Sequence, residues 1–207
     1  PELGVSIPVG KDSLSMRTVW TEEGGSKKVT SPVSLIVTAF ATLADVRGTL
    51  TPQLNTEEAD TTLLLIDLGK GKNRMGGSIL AQTLELEDSN VPDLDDSKDL
   101  INLVNAINEL RAEDQVLAYH DRSDGGLFAS ACEMAFAGHV GVSLNIDTLL
   151  AESEGIRDRV MDTGGGKTEE SRVGTLREEL TLRVLCNEEL GALIQVRTES
   201  RNDVMQT

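Results

Sequence analysis

Residues 116–137 constrain this chain more than any other stretch, because they dictate a strand, a glycine turn and a helix in immediate succession. Val116-Leu117-Ala118-Tyr119 is a short apolar run that reads as a buried strand, and residues 128–137 read as a helix. Between them lies His120-Asp121-Arg122-Ser123-Asp124-Gly125-Gly126-Leu127, with two aspartates, a hydroxyl and a glycine pair. A strand that ends in a carboxylate and turns through glycines into a helix can hold a phosphate and its metal ion. The helix start offers backbone N–H groups without intrahelical partners and the positive end of the dipole. Asp121 is the candidate Mg²⁺ ligand, since this hard cation takes oxygen ligands and shares them with phosphates. The plainer reading is that Ser123 or Asp124 caps the helix through its side chain.

The rest of the chain alternates strand and helix patterns without an internal repeat, which predicts an α/β or α+β fold. Strands are expected at 5–7, 33–41, 62–68, 141–146 and 191–196, the third of these buried on both faces. Gly69-Lys70-Gly71-Lys72 reads as a turn leading into a helix at 78–84, and residues 85–96 as an acidic loop. Ser97 is the expected cap of an amphipathic helix running to about Arg111, with Leu100, Val104, Ile107 and Leu110 on one stripe. Residues 46–60 are rich in Thr, Pro, Asn, Glu and Gly and read as a linker between domains. Residues 151–181 are charged, contain Gly164-Gly165-Gly166 and show little apolar periodicity, so they read as a solvated insertion. Residues 199–205 begin a helix pattern just before the last residue, and the first residue is Pro1. Both ends therefore read as cuts in a longer polypeptide.

Composition narrows the function classes. Hydrophobic residues make up 39% but aromatics only 2%, so the core must be built from Leu, Val, Ile and Ala. With 19 basic against 35 acidic residues the net charge is −16, which repels nucleic acid and anionic membrane surfaces at long range. A small nucleotide bound through Mg²⁺ stays compatible, because the metal reverses the local sign. No run approaches the roughly 18 apolar residues of a membrane span. Cys132 and Cys186 do not form a disulfide framework; they read as buried thiols, which suits a reducing cytoplasm.

Other motifs fail on inspection. Gly166-Lys167-Thr168 lacks the glycine five residues earlier that a P-loop needs, where Met161 stands. Gly69-Lys70-Gly71 lacks the third glycine of a dinucleotide fingerprint, because position 74 is Arg. There is no nucleophile elbow, and His120, His139, Cys132 and Cys186 offer no pair at zinc-ligand spacing. His139 reads as a helix-end residue, and His120 as a strand-end residue of structural use. A second constellation does stand out: Pro8-Val9-Gly10-Lys11-Asp12-Ser13-Leu14-Ser15-Met16. There Lys11 offers a point charge for a phosphate or carboxylate, Asp12 a metal ligand or base, and Ser13 a small donor. An exposed turn is the simpler alternative.

Four segments in this order carry a family resemblance. They are residues 4–16, Thr49-Leu50-Thr51-Pro52-Gln53-Leu54, the stretch 119–127, and Asn187-Glu188-Glu189-Leu190-Gly191-Ala192. Together they closely resemble the phosphoribosylformylglycinamidine synthases in their large, single-chain form. The resemblance spans nearly the whole chain and is weakest at 151–181, which looks longer than the family pattern. It implies the aminoimidazole ribonucleotide synthetase-like fold: a mixed sheet with packed helices, preceded by the terminal strands of a partner A domain. On that reading residues 1–45 end the second A domain, 46–60 link, and 61–207 form a truncated second B domain with the insertion at 151–181.

The activity implied is an ATP-dependent amidotransferase of purine biosynthesis, a C–N ligase that converts formylglycinamide ribonucleotide and glutamine to the amidine. This segment is then expected to contribute to an auxiliary nucleotide–Mg²⁺ site, holding ATP or ADP, and to be inactive alone. The resemblance implies Asp121 as a metal ligand, Ser123 as a nucleotide contact, and Lys11, Asp12 and Ser13 as substrate or phosphate contacts. No catalytic residue is assigned to this segment. Implied partners are the catalytic synthetase half and the glutaminase domain of the same polypeptide. The competing reading is an interaction scaffold within that enzyme which binds no nucleotide. Other ATP-using members of the fold, such as selenophosphate synthetases and thiamine phosphate kinases, fit poorly with the G-K-D-S and T-L-T-P-Q-L segments.

Overall fold

A computed structural model describes residues 2–11, 16–31, 35–152 and 169–207. They fall into two units, Pro1–Arg47 and Gly48–Thr207.

The described residues of the first unit form a hairpin, β1 (Arg17–Glu22) and β2 (Gly25–Thr30), paired antiparallel with Arg17 opposite Thr30 and Glu22 opposite Gly25. Its two-residue turn uses Gly24 at φ +118, a backbone region that L side chains avoid. The sequence reading passes over this hairpin, although Thr18, Val19, Trp20 and Thr21 followed by Glu23-Gly24-Gly25 carry the strand-and-turn signal. Two expected strands are corrected here. Among the described residues, 5–7 and 35–41 form no ladder; residues 33 and 34 lie outside them. A β-branched run becomes a strand only when a neighbour pairs its N–H and C=O groups, and β1–β2 is the pairing described in this unit.

The second unit is an α+β sandwich around a three-stranded sheet in the order β3-β5-β4, where β3 is Thr61–Asp67, β4 Val116–Asp121 and β5 Gly191–Arg197. Among the described residues its pairings are antiparallel. β5 is the central strand and is buried on both faces from Ala192 to Val196. The apolar run of β3, expected to be buried twice, is half-buried throughout because it lies at the edge. A register shift between Val116 and Ala118 leaves Leu117 as an extra residue in β4, a bulge of the kind that re-aims a strand end.

Strand alternation splits the core into two layers. On one face Ala118, Leu193, Leu63 and Leu65 pack with Leu127, Ala131 and Met134 of α3 (Gly126–Gly138). On the other, Ile194, Val196, Leu64, Ile66 and Tyr119 pack with Ile107 and Leu110 of α2 (Ser97–Ala112). Asp96 rather than Ser97 caps α2, its carboxylate accepting from the Lys98 N–H at 2.9 Å. Val104 lies outside the buried stripe, being 52% exposed.

Residues 48–60, linker-like in composition, pack onto this unit. Leu54 joins the core, and Thr51 O accepts from the Tyr119 N–H at 2.9 Å. The buried Gln195 amide clamps Asn55 through its N–H (2.7 Å) and its carbonyl (2.9 Å), and also reaches Thr61 Oγ1 at 3.0 Å.

The other α-helices among the described residues are α1 (Ile79–Thr83), α4 (Ile146–Glu152), α5 (Glu169–Cys186) and α6 (Arg201–Val204), the last preceded by a 3-10 turn at Thr198–Ser200. The strand expected at 141–146 does not form: Val142, Leu144 and Ile146 do alternate inward, but against the core and without a partner strand among the described residues, and Ile146 begins α4. Of the expected insertion 151–181, residues 169–181 belong to α5, whose Leu180 and Val184 pack on Leu150 of α4. Residues 153–168, with the Gly164-Gly165-Gly166 run, lie outside the described residues.

Gly191, at the start of β5, has no room for a side chain, because a Cβ there would stand 2.2 Å from Ile66 O. Gly191→Ala is expected to lower stability by about 1–3 kcal/mol through forced separation of β3 and β5. An unchanged urea midpoint followed by circular dichroism would contradict this packing.

Candidate functional site

Three turns meet at one end of the sheet: residues 67–74 after β3, 121–125 after β4, and 187–190 before β5. Arg122 joins them. Its side chain is only 1% exposed. Nε donates to Glu189 O at 2.5 Å, and Nη2 donates to Asp67 Oδ1 at 2.5 Å and to Leu190 O at 3.0 Å. Asp67 in turn folds its own turn, accepting from the Gly69 N–H (3.1 Å) and the Gly71 N–H (2.8 Å). One guanidinium thus satisfies two carbonyls and a carboxylate that would otherwise be costly to bury.

A second ion pair, buried at its Glu189 end, braces the same turns. Glu189, whose side chain is 1% exposed, accepts from Arg74 Nε and Nη2 at 2.7 Å each and from the Arg74 N–H at 3.0 Å. This two-pronged hydrogen bond holds the Arg74 guanidinium well above its usual pKa. Gly69 lies so close to Glu189 that a Cβ would come within 2.7 Å of its side chain. Asn187 completes the buried set, with Nδ2 donating to Asn73 Oδ1 (3.0 Å) and Arg183 O (2.7 Å).

The glycine turn is held by a carboxylate. Glu188 Oε1 accepts from the Gly125 N–H and from the Ile79 N–H, at 2.8 Å each. Gly125 is the N-cap of α3 at φ +84, and no side chain caps the helix, so the expected capping by Ser123 or Asp124 is corrected. The Gly126 N–H goes to Ser123 O at 2.9 Å. The amides of Gly125 and Gly126 are therefore already engaged. Gly126 itself must lack a side chain, because a Cβ would lie 2.5 Å from Asn187 O.

What this scaffold presents outward is Asp121, Ser123 and Asp124, all exposed. The Asp121 backbone is pinned: its carbonyl faces His120 Nδ1 at 2.7 Å and Ser130 Oγ at 3.1 Å. His120 Nε2 meets Glu133 Oε2 of α3 at 2.7 Å, so this histidine ties the strand end to the helix. Asp121 Oδ1 accepts from the Tyr119 hydroxyl at 2.5 Å. Burial, and then this bond, push the Tyr119 phenol above its ordinary pKa.

Among the described residues no three His, Cys, Asp or Glu side chains gather to hold a metal. One exposed carboxylate still fits Mg²⁺ as part of a ligand set, since this ion keeps several waters and takes one or two carboxylates plus phosphates. Of the second constellation, Lys11 is exposed in the first unit, and Asp12 and Ser13 lie outside the described residues. The thiols are half-buried rather than buried; burial, with help from Glu188, pushes the Cys186 thiol up. The motifs of the sequence contain Arg122, Glu188 and Glu189 without assigning them a task, and Asp67, Arg74 and Tyr119 carry no motif that marks them as members of the site. The available signal was charge inside or abutting apolar runs, as in Leu65-Ile66-Asp67-Leu68.

Removing one partner of a buried ion pair leaves the other charge stranded. Arg74→Met is expected to cost about 3–5 kcal/mol, whereas Arg74→Met combined with Glu189→Leu recovers most of that loss. Additive losses in urea denaturation would show that the two residues act separately.

Comparison with known families bears on the fold. Residues 61–206 match the family model described as AIR synthase related protein, C-terminal domain, and residues 1–42 match the FGAR-AT PurM_N-like domain. Domains of this kind occur in ATP-dependent ligases of purine biosynthesis. No helix among the described residues is long and apolar enough to cross a membrane. With more than two thirds of its length matched by the first of these models, the chain belongs to the AIR synthase related family, and it carries that family's C-terminal domain fold.

Proposed function

We propose that this chain is part of a phosphoribosylformylglycinamidine synthase of the large, single-chain form, where it contributes to an auxiliary nucleotide–Mg²⁺ site. The observation that carries the reading is the arrangement at the end of β4. Buried charges fix three turns, and only Asp121, Ser123 and Asp124 of the turn after β4 are turned outward. The order of the two matched domains supports the same assignment.

On this reading Asp121 supplies one oxygen to Mg²⁺ and Ser123 donates to a nucleotide phosphate or ribose oxygen. Mg²⁺ bound there would share oxygens with the phosphates and offset their charge. The remaining ligands come from other parts of the synthase, so the chain alone has no complete site and makes no product. Lys11, Asp12 and Ser13 contact substrate or phosphate, Lys11 through a point charge. The catalytic half and the glutaminase domain, which frees ammonia from glutamine, are the partners, and the cytoplasm is the compartment.

The scaffold reading, in which no nucleotide is held, draws on a specific observation. Glu188 and Ser123 O already occupy the Gly125 and Gly126 amides that would face a phosphate.

The two readings separate on the nucleotide and Mg²⁺ content of the intact synthase. Asp121→Ala is expected to lose one tightly bound nucleotide while circular dichroism stays unchanged. Ser123→Ala, which removes a single hydrogen bond, is expected to weaken nucleotide retention about 2–10-fold. Unchanged content in the Asp121 variant would establish the scaffold.

A further inference from the structure

Tyr119 and Asp121 stand two apart on β4 and so point to the same side of the sheet. The phenol ring is anchored: it packs on the cluster of Leu110, Val116, Ile194, Val196 and Val204. Its hydroxyl reaches Asp121 Oδ1 at 2.5 Å, the short distance of a charge-assisted hydrogen bond. The Asp121 backbone cannot shift to escape, because its carbonyl is held by His120 and Ser130 and its residue is paired with Ala192 of β5. The bond therefore fixes the carboxylate's rotation and leaves its two oxygens unequal.

We propose that Tyr119 sets the cation selectivity of this carboxylate, holding Asp121 to one-oxygen coordination so that Mg²⁺ is taken in preference to Ca²⁺. The inference rests on the reading of Asp121 as a metal ligand. The hydroxyl proton at Oδ1 places partial positive charge where a chelated cation would need the second oxygen. Only Oδ2 remains as an unhindered donor. Mg²⁺ loses little from this, because its octahedral shell at 2.0–2.1 Å takes single oxygens and waters. Ca²⁺ loses more, because it gathers 6–8 oxygens at 2.3–2.6 Å and gains from carboxylates that offer both. Tyr119 is thus a positioning residue, acting on the ion through Asp121. A plainer role, in which the phenol only satisfies its own hydroxyl, predicts no change in ion preference when the hydroxyl is removed.

The test uses the intact synthase with ADP, and reads by electron paramagnetic resonance the bound Mn²⁺ that disappears in Asp121→Asn. Competition by Mg²⁺ and by Ca²⁺ gives the selectivity ratio. Tyr119→Phe keeps the ring in its cluster and is expected to weaken Mg²⁺ competition about 10-fold, the usual effect of losing a hydrogen bond to a metal ligand. Ca²⁺ competition is expected to stay level or strengthen, so the ratio falls by at least that factor. If the phenylalanine variant does not fold, Tyr119→Leu also removes the hydroxyl while keeping an apolar side chain in the cluster, and reports the same ratio. An unchanged ratio, with Asp121-dependent Mn²⁺ still present, overturns the role of Tyr119 and leaves the metal reading standing. If Asp121→Asn binds Mn²⁺ as wild type does, the metal reading falls and this inference with it.

Discussion

The buried guanidinium of Arg122 is the interaction on which the rest of the second unit depends. It sits where three chain turns would otherwise leave two carbonyls and an aspartate facing one another without a donor. Water cannot reach that position to replace it, since the side chain is almost wholly enclosed. A buried charge is not a cheap source of stability, because desolvation offsets much of the attraction. Its value here is geometric. With Arg122 bound to Asp67 and to the 189–190 carbonyls, the turns after β3 and β4 and the turn into β5 have one arrangement, and β4 ends in a fixed place.

That arrangement explains a division of labour among the acidic residues of a chain with net charge −16. Asp67, Glu188 and Glu189 face inward and are consumed by backbone amides and arginines. Asp121, one residue before Arg122, faces outward on a backbone that cannot move freely. Binding sites gain from such rigidity, because the ordering cost is met during folding rather than on binding. The same logic gives the glycines their positions: Gly69, Gly126 and Gly191 stand where a Cβ would collide with Glu189, Asn187 and Ile66.

How much of this is legible in the sequence varies with the kind of interaction. The strand at 116–119, the following helix, the helix at 97–111 and the last strand all show in apolar spacing, because burial against a common core is a local pattern. Strand pairing is not local. The β-branched run at 33–41 and the alternating 141–146 satisfy strand preference, yet their described residues find no neighbour, while the more polar Arg17–Glu22 and Gly25–Thr30 do. Helix α5 escapes notice because its charged residues obscure apolar positions that reach the core, Leu180, Val184 and Leu185 among those described. Within the site, Asp121 and Ser123 stand out as polar residues in a glycine turn. The network beneath them does not, since arginine and glutamate in sequence read as solvated side chains until their partners are seen.

Native-state hydrogen exchange tests the central claim, that buried charges hold these turns as one body. The amides of Gly69, Gly71, Arg74 and Gly125 accept no protection from helix or sheet ladders, and each donates to a carboxylate of the network. They are predicted to exchange slowly and together, at rates close to those of β5 amides. Fast, independent exchange at these four positions, beside a protected β5, would show that the turns are ordinary solvent loops and contradict the account.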